Sequence, residues 1–242
     1  MTTGAMRLRL PVSTANRVAI GVSLLVPLIA VTGFWPTYLG PLANGTVEKP
    51  PIIHFHAAVY AGWVLLFVAQ VFFASTGQIA LHRKLGRIGI YYGWAIVAVG
   101  LLTAFTLFAE RVGDGKLAEA QRSLLAPLTD MIVFPIFFGA ALYFRRRPEI
   151  HKRLMLVATT ALLVAAVARM PFLSGPISEP ARQLVWFSPI LLAMGYDFYA
   201  RRLVHPVYAI GLATLYGLSF RGSLRESDAW LSLSSWLATL VG

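Results

Sequence analysis

Seven long apolar stretches constrain this chain more than any other feature of its sequence. Each is close to the roughly 20 mostly apolar residues that an α-helix needs to cross a membrane. The sequence therefore predicts an all-α fold, a polytopic membrane bundle of about seven transmembrane helices. The predicted helices are residues 17–40, 52–75, 87–109, 124–144, 154–173, 184–200 and 205–220.

The composition supports a membrane environment. Only 13% of the residues are charged, against roughly 25% in soluble domains, so many apolar side chains must face something other than water. The net charge is +11, but the basic residues lie between the apolar stretches. That pattern sets the orientation of a membrane protein and does not form the basic face of a nucleic-acid-binding protein. We therefore expect the lipid bilayer as partner and no nucleic acid. The absence of cysteine excludes disulfides and thiolate ligands.

The distribution of Lys and Arg predicts the orientation. Basic residues crowd the N-terminus and residues 83–87, 145–153 and 201–202, whereas the alternate loops are mixed in sign. Because cytoplasmic loops are enriched in Lys and Arg, we expect the N-terminus in the cytoplasm and the C-terminus outside. Residues 1–16 are then a cytoplasmic segment, residues 17–220 the bundle and residues 221–242 a tail.

The tail predicts a short helix that lies in the outer membrane interface. Trp230, Leu233, Leu237 and Leu240 fall on one helical face, with Ser232, Ser235 and Thr239 opposite. Such amphipathic helices lie along the membrane surface, with tryptophan at headgroup depth. Either Asp228 or Ser227 can cap the start of this helix.

Four polar residues predict an ionic site near the outer face: His54 and His56 in the second helix, Asp130 in the fourth and Arg169 in the fifth. Asp130 and Arg169 both lie roughly 6–9 Å inside the predicted outer boundary, and His56 lies at a similar depth. Because buried charge in a membrane needs a partner, we expect Asp130 to pair with Arg169, with a histidine nearby. The site could bind protons or a substrate, or it could be an ion pair that fixes the packing of the fourth and fifth helices.

Two histidines sit in basic clusters at the cytoplasmic ends of apolar stretches. His82 lies in "LHRKLGR" and His151 in "RRRPEIHKRLM". If the third helix begins at His82, its face also carries Gly86, Gly89, Gly93 and Gly100. A stripe of glycine has two interpretations: close contact between helices, or a flat macrocycle lying against the backbone.

These two clusters suggest a haem site. His82 and His151 could bind the iron of a b-type haem axially. Arginine binds carboxylates well, and the basic residues nearby could hold the haem propionates: Arg83, Lys84, Arg87, Lys152 and Arg153. The alternative is that both clusters bind lipid phosphates and set the topology.

Two further functions remain open. His82, His151 and His205 with Asp197 could bind zinc in a membrane hydrolase that acts on lipid. About seven spans with an inside N-terminus are similar to the progestin-receptor and alkaline-ceramidase group, although that group's final H-x-x-x-H pair is missing here. The third possibility is a transporter or accessory subunit without catalysis, since helix prolines such as Pro127 and Pro135 frame cavities.

The two histidine clusters also carry a resemblance to known families. "LHRKLGR", "RRRPEIHKRLM" and the "HP" at a helix start resemble the DUF2306 family of bacterial membrane proteins over residues 50–210. The arrangement is also similar to the cytochrome b561-like superfamily, in which paired histidines hold two b haems. This resemblance implies a redox protein of the bacterial inner membrane, with His82 and His151 as one haem pair and a quinone or protein as partner. The second pair is not matched, because the fourth helix offers Asp130 and no histidine.

Overall fold

The computed structural model describes residues 13–173 and 178–241, and every regular element in these ranges is a helix. A π-helical segment, Trp35–Leu39, joins α1 to α2, and two 3₁₀ segments cover Pro171–Leu173 and Phe220–Glu226. The α-helices are α1 (Thr14–Phe34), α2 (Gly40–Ala43), α3 (Pro51–Ser75), α4 (Ile79–Gly113), α5 (Leu117–Tyr143), α6 (Pro148–Ala161), α7 (Val164–Val167), α8 (Ser178–Arg201), α9 (Pro206–Ser219) and α10 (Asp228–Thr239).

Five of these segments are long and apolar enough to cross a membrane within the described ranges. They are Thr14–Ala43, Pro51–Ser75, Ile79–Gly113, Leu117–Tyr143 and Pro148–Val167, which match the first five predicted spans. The helices α8 and α9 occupy the positions of the sixth and seventh. However, α8 carries several charged residues, and α9 has only 14 residues, or about 21 Å of helix. The structure supports an all-helical membrane fold with five clear spans.

The helices pack mainly against their neighbours in sequence. The helix α4 lies between α3 and α5, α5 also packs on α6, and α1 packs on α3, α7 and α8. One core cluster fills the bundle, with Trp63 of α3, Phe138 of α5 and Ile190 of α8 almost fully buried. A smaller cluster joins the α4–α5 turn to α10.

The fifth predicted helix is interrupted, which corrects the expectation of a continuous helix over residues 154–173. The helix α6 ends at Ala161 and α7 ends at Val167. At the break, Leu163 donates to the carbonyl of Thr160 three residues earlier, at 3.0 Å. The indole of Trp186 in α8 donates to the same carbonyl at 2.8 Å. A side chain of a neighbouring helix thus supplies a hydrogen bond at the point where the helical ladder stops.

The C-terminal helix forms as predicted, but it buries a different face. Ser227 caps α10 by accepting from the amide of Trp230. The buried residues are Trp230, Ser234 and Ala238, whereas Leu233 and Leu240 are exposed. The indole of Trp230 donates to the carbonyl of Gln121 in α5 at 3.1 Å. Docking onto α5, which the sequence pattern does not reveal, decides which face is buried.

The bundle has two chemically different ends. At the basic end α3 meets α4, α5 meets α6 and α8 meets α9, and Asn16 of α1 donates to the carbonyl of Ser75. That end carries eleven Lys and Arg residues in the described ranges but only two acidic residues, Glu149 and Asp197. The opposite end, where α4 meets α5 and α10 docks, carries eight of each sign.

Candidate functional site

His82 and His151 lie together at the basic end in matching positions. His82 is in the first turn of α4, and its Nδ1 lies 3.3 Å from the carbonyl of Gln70 in α3. His151 is in the first turn of α6, and its Nδ1 lies 2.8 Å from the carbonyl of Ala141 in α5. The two imidazoles are close enough to interact electrostatically. Each histidine therefore begins the second helix of a helical hairpin and is held by a carbonyl of the first.

This geometry assigns a tautomer to each imidazole. A ring nitrogen that faces a carbonyl must carry the proton, so Nδ1 donates and Nε2 of the neutral ring is left as an acceptor. Within the described ranges, no hydrogen bond engages Nε2 of His82 or of His151. Metal-binding histidines characteristically have their other nitrogen held by a carbonyl or carboxylate in this way.

The glycine stripe of α4 is filled by side chains of its neighbours. A methyl group at Gly93 would meet the ring of Phe138 at 2.2 Å, and one at Gly100 would meet the sulfur of Met131 at 2.5 Å. The amide of Gln70 lies over Gly86, and Leu66 lies over Gly89. Close helix contact, one of the two interpretations open from the sequence, thus accounts for this face of α4.

The predicted propionate-binding residues divide into two groups. Arg83, Lys84 and Arg87 are exposed at the basic end and free to meet a ligand from the aqueous side. Arg153 is only 1% exposed and is committed to other partners. Its Nε and Nη2 donate to both carboxylate oxygens of Asp197 in α8, at 2.6–3.1 Å, and its Nη1 donates to Glu149.

Arg153 and Asp197 are the centre of an ionic network that joins α6, α8 and α9. Glu149 also bonds Lys152 and Arg201, and the guanidinium of Arg153 lies 5.3 Å from the ring centre of Tyr208. The network locks the basic ends of three helices together. It corrects the assignment of Arg153 to a propionate, because that side chain is buried and bonded elsewhere.

The predicted zinc ligands do not converge. Both oxygens of Asp197 face Arg153, and His205 caps the start of α9 by accepting from the amide of Val207. Burial lowers the pKa of His205, and the positive charge of Arg153 lowers it further, which favours the neutral ring that the cap requires. Across the described ranges, no group of three or more His, Cys, Asp or Glu side chains could hold a metal ion.

At the opposite end Asp130 has a different partner from the one predicted. It accepts from Arg221, which also donates to Thr129 at 2.9 Å. Arg169 instead lies over the ring of Phe34 at 5.2 Å from its centre. The predicted pair of Asp130 with Arg169 is wrong for two reasons. The helix α7 ends two residues before Arg169, and Arg221, in the segment after α9, pairs with Asp130 instead. A cleft of about 280 Å³ lies beside this pair, lined by Thr129, Leu218 and Phe220 among others.

The two histidines of the outer site behave differently. His54 shares a hydrogen bond of 2.9 Å with the hydroxyl of Tyr38. His56 stacks on Tyr60, with ring centres 4.0 Å apart, and its Nδ1 is buried with no partner in the part of the chain that the structure describes. His56 also interacts electrostatically with Arg169, and Tyr60 with Asp130. His56 is therefore near Arg169, and its stacking partner Tyr60 is near Asp130, although Asp130 and Arg169 are not paired.

Sequence reasoning missed one further set of residues, the buried polar atoms on α3. The indole nitrogen of Trp63 and both amide atoms of Gln70 have no partner among the described residues, like Nδ1 of His56. Their spacing was visible in the sequence, because His56, Trp63 and Gln70 are separated by seven residues each and fall on one helical face. Thr159 and Thr160 of α6 also carry buried hydroxyls that bond to no group in residues 13–173 or 178–241.

Fold and sites together define a class of protein. The long apolar helices, with large apolar side chains such as Leu65 and Ile132 on their outer surfaces, are those of an integral multi-pass membrane protein. Comparisons with protein-family models, curated proteins and solved structures found no match to this chain.

Proposed function

We propose that this chain is a seven-span protein of the bacterial inner membrane that binds one b-type haem between His82 and His151. In this proposal it exchanges electrons with a quinone or with a partner protein. The observation that carries the proposal is the matched histidine pair at the basic end. Each ring is fixed through Nδ1 by a carbonyl of the preceding helix, and each Nε2 is left as a donor to iron.

The residues present fit the cofactor at the donor atoms. Two imidazoles on adjacent hairpins are the ligand set of a low-spin b haem, and such a group supplies one-electron transfer when bound. The carbonyls of Gln70 and Ala141 orient the two rings, and Arg83, Lys84 and Arg87 would meet the propionates. The haem would lie away from the glycine stripe, because Phe138, Leu66 and Gln70 already cover it.

The orientation and the number of spans belong to the same proposal. The basic end, with its large excess of Lys and Arg, faces the cytoplasm by the positive-inside rule, and the charge-balanced end faces out. The helices α8 and α9 then complete seven spans and carry the C-terminus to the outer side. A reporter enzyme that is active only outside the cytoplasm should be active when it is fused at residue 242. Activity of a cytoplasm-only reporter fused at the same residue would overturn the orientation.

An absorbance spectrum tests the haem directly. Protein purified from cells supplied with haem precursor should show a Soret band and a reduced-minus-oxidised difference spectrum. His82→Ala and His151→Ala should each abolish that spectrum while the protein still reaches the membrane, because each removes one iron ligand. His205→Ala is the matched control, since that ring is used as a helix cap at the same end, and it should keep the spectrum.

The same preparation separates the alternatives. A wild type without a spectrum, or two histidine variants that retain it, would contradict the haem proposal. Elemental analysis would then decide between a zinc protein and one without a metal. Reduction of the haem by a quinol, followed in the same spectrum, would identify the quinone pool as the electron partner, whereas no response would point to a protein partner.

A further inference from the structure

The inward face of α3 combines deep burial with unpaired polar atoms. His56, Tyr60, Trp63, Phe67 and Gln70 fall within about 40° of His56 around the helix axis. Trp63 is 2% exposed and Phe67 is 5% exposed. Leu65, on the other side of the helix, is 69% exposed. One stripe of α3 thus faces the bundle interior, and that stripe carries most of the helix's polar groups.

The unpaired atoms occur at three levels along this stripe. Nδ1 of His56, Nε1 of Trp63 and both amide atoms of Gln70 are buried and bonded to no described protein group. From His56 to Gln70 the helix rises about 21 Å, a large part of the roughly 30 Å hydrocarbon layer. A buried polar group without a partner lowers stability by about 1–3 kcal/mol. Because such groups occur at three levels of one stripe, we infer that a ligand forms hydrogen bonds with them.

The packing limits the size of that ligand. Trp63 lies edge-on against Phe134 and Phe138, with ring centres 5.3 and 5.5 Å away. Tyr60 fills the space over Gly100 and donates to the carbonyl of Ile96 at 3.1 Å. Such close contacts exclude a cofactor or substrate along this stripe. Water is small enough, and it can both donate to an imidazole or amide oxygen and accept from an indole or amide nitrogen.

We propose that the inward face of α3 binds water at the levels of His56, Trp63 and Gln70, and that this file carries protons between the two ends of the bundle. At the opposite end the stripe comes near ionisable groups, because His56 interacts with Arg169 and its stacking partner Tyr60 interacts with Asp130. At the basic end the stripe reaches the side-chain amide of Gln70, which lies over Gly86 of α4. The proposal does not use the titration of His82 or His151 and does not require a cofactor.

Phe67 is the narrow step of this path. It has no polar atom, and it lies between Trp63 and Gln70, which are about 10 Å apart along the helix. About three or four waters in hydrogen-bond contact span that distance. Proton flow should therefore depend on how often water passes the ring of Phe67, and a smaller side chain there should raise the flow.

Radiolytic footprinting tests the bound water on the wild-type protein. Hydroxyl radicals formed in place from ordered water should label Trp63 in spite of its burial. Trp186 is the matched control, because it is the same residue type, is 4% exposed and has its indole bonded to the carbonyl of Thr160; it should be labelled less. Labelling of Trp63 no greater than that of Trp186 would overturn the proposal.

Proton flux in liposomes tests the function of the path. Vesicles with the full chain, an internal pH dye and a valinomycin-driven potential should change pH faster than protein-free vesicles. Gln70→Met and Trp63→Phe should reduce the flux to the protein-free level, Phe67→Ala should raise it, and lipid-facing Leu65→Met should leave it unchanged. If a variant fails to fold by size-exclusion chromatography, the footprinting result decides. Wild-type flux equal to that of empty vesicles would overturn proton carriage, even if the water is present.

Discussion

Removal of Asp197 should destabilise the bundle more than removal of any surface carboxylate. Arg153 is 1% exposed, and Asp197→Ala would leave its Nε and two bonds from Nη2 without an acceptor. Breaking a buried ion pair by deleting one partner costs about 3–5 kcal/mol. Glu149 still accepts from Nη1, so we expect the lower part of that range, about 3 kcal/mol.

The measurement is the free energy of unfolding in mixed micelles, titrated with SDS and followed by tryptophan fluorescence. Glu119→Ala is the matched control, because its pair with Arg111 is exposed, with side chains 63% and 29% accessible. Such a surface pair contributes about 1 kcal/mol or less. In the double variant Arg153→Met/Asp197→Ala both charges are gone, so its cost should fall below the sum of the two single variants by about 1 kcal/mol or more. Equal costs for Asp197→Ala and Glu119→Ala, or strict additivity, would refute the reasoning.

Two further predictions concern a close helix contact and a titrating helix cap. A methyl group at Gly33 would meet the backbone oxygen of Ala166 at 2.2 Å, so Gly33→Ala should lower the free energy of unfolding by about 1–3 kcal/mol. Gly21→Ala is the control, because a methyl group there would meet no atom within 4 Å, and it should not lower that free energy. Equal losses for the two variants would contradict the close contact at Gly33. Because burial lowers the pKa of His205, the folded state favours the neutral ring, and the wild type should lose stability as the pH falls from about 7 to about 5. His205→Asn keeps a side chain that can accept from the amide of Val207 but cannot titrate. Between the same two pH values, this variant should therefore lose less unfolding free energy than the wild type. An equal loss in the two proteins would assign the pH dependence to other groups.

The positions of the helices were predictable because length and hydropathy govern membrane insertion. Each of the first five predicted spans overlaps a helical segment, and α8 and α9 overlap the sixth and seventh. The bounds agree less well: α4 begins at Ile79 against the predicted residue 87, and the fifth segment covers Pro148–Val167 against the predicted 154–173. The break after Ala161 was not predictable from the apolar pattern, because Leu162 and Leu163 suit a helix as well as any residue. At the break the carbonyl of Thr160 accepts from Trp186, which lies 26 residues later in α8, and the apolar pattern gives no sign of that contact.

The ionic pairs show where sequence reasoning went wrong. Matching depth suggested Asp130 with Arg169, but the same argument applied equally to Arg153 and Asp197, which lie at the basic end and form the buried pair. The predicted roles of Asp197 as a zinc ligand and of Arg153 as a propionate partner leave out the attraction between their opposite charges. Arg221, the real partner of Asp130, lay in a segment predicted to rest outside the bundle. Depth alone gives several candidate pairs, and only the packing of helices selects among them.

The histidine pair was predictable in position but not in detail. The two basic clusters placed His82 and His151 at the same end, and the structure brings the rings within electrostatic range. The carbonyls that hold them come from Gln70 and Ala141, whose side chains gave no signal of this role. Backbone acceptors are invisible to residue-type reasoning, since any residue at that place in the hairpin would serve.

The hydrogen bond from Trp186 to the carbonyl of Thr160 has a consequence for biosynthesis. The chain emerges from the ribosome in order, so the segment Pro148–Val167 enters the membrane before α8 has been made. Until α8 has been made, the carbonyl of Thr160 either lacks the hydrogen bond from Trp186 or lies within a continuous helix. The break is then completed only when α8 arrives with Trp186, so nascent chains stopped before residue 186 should hold this segment in a different conformation from the finished protein.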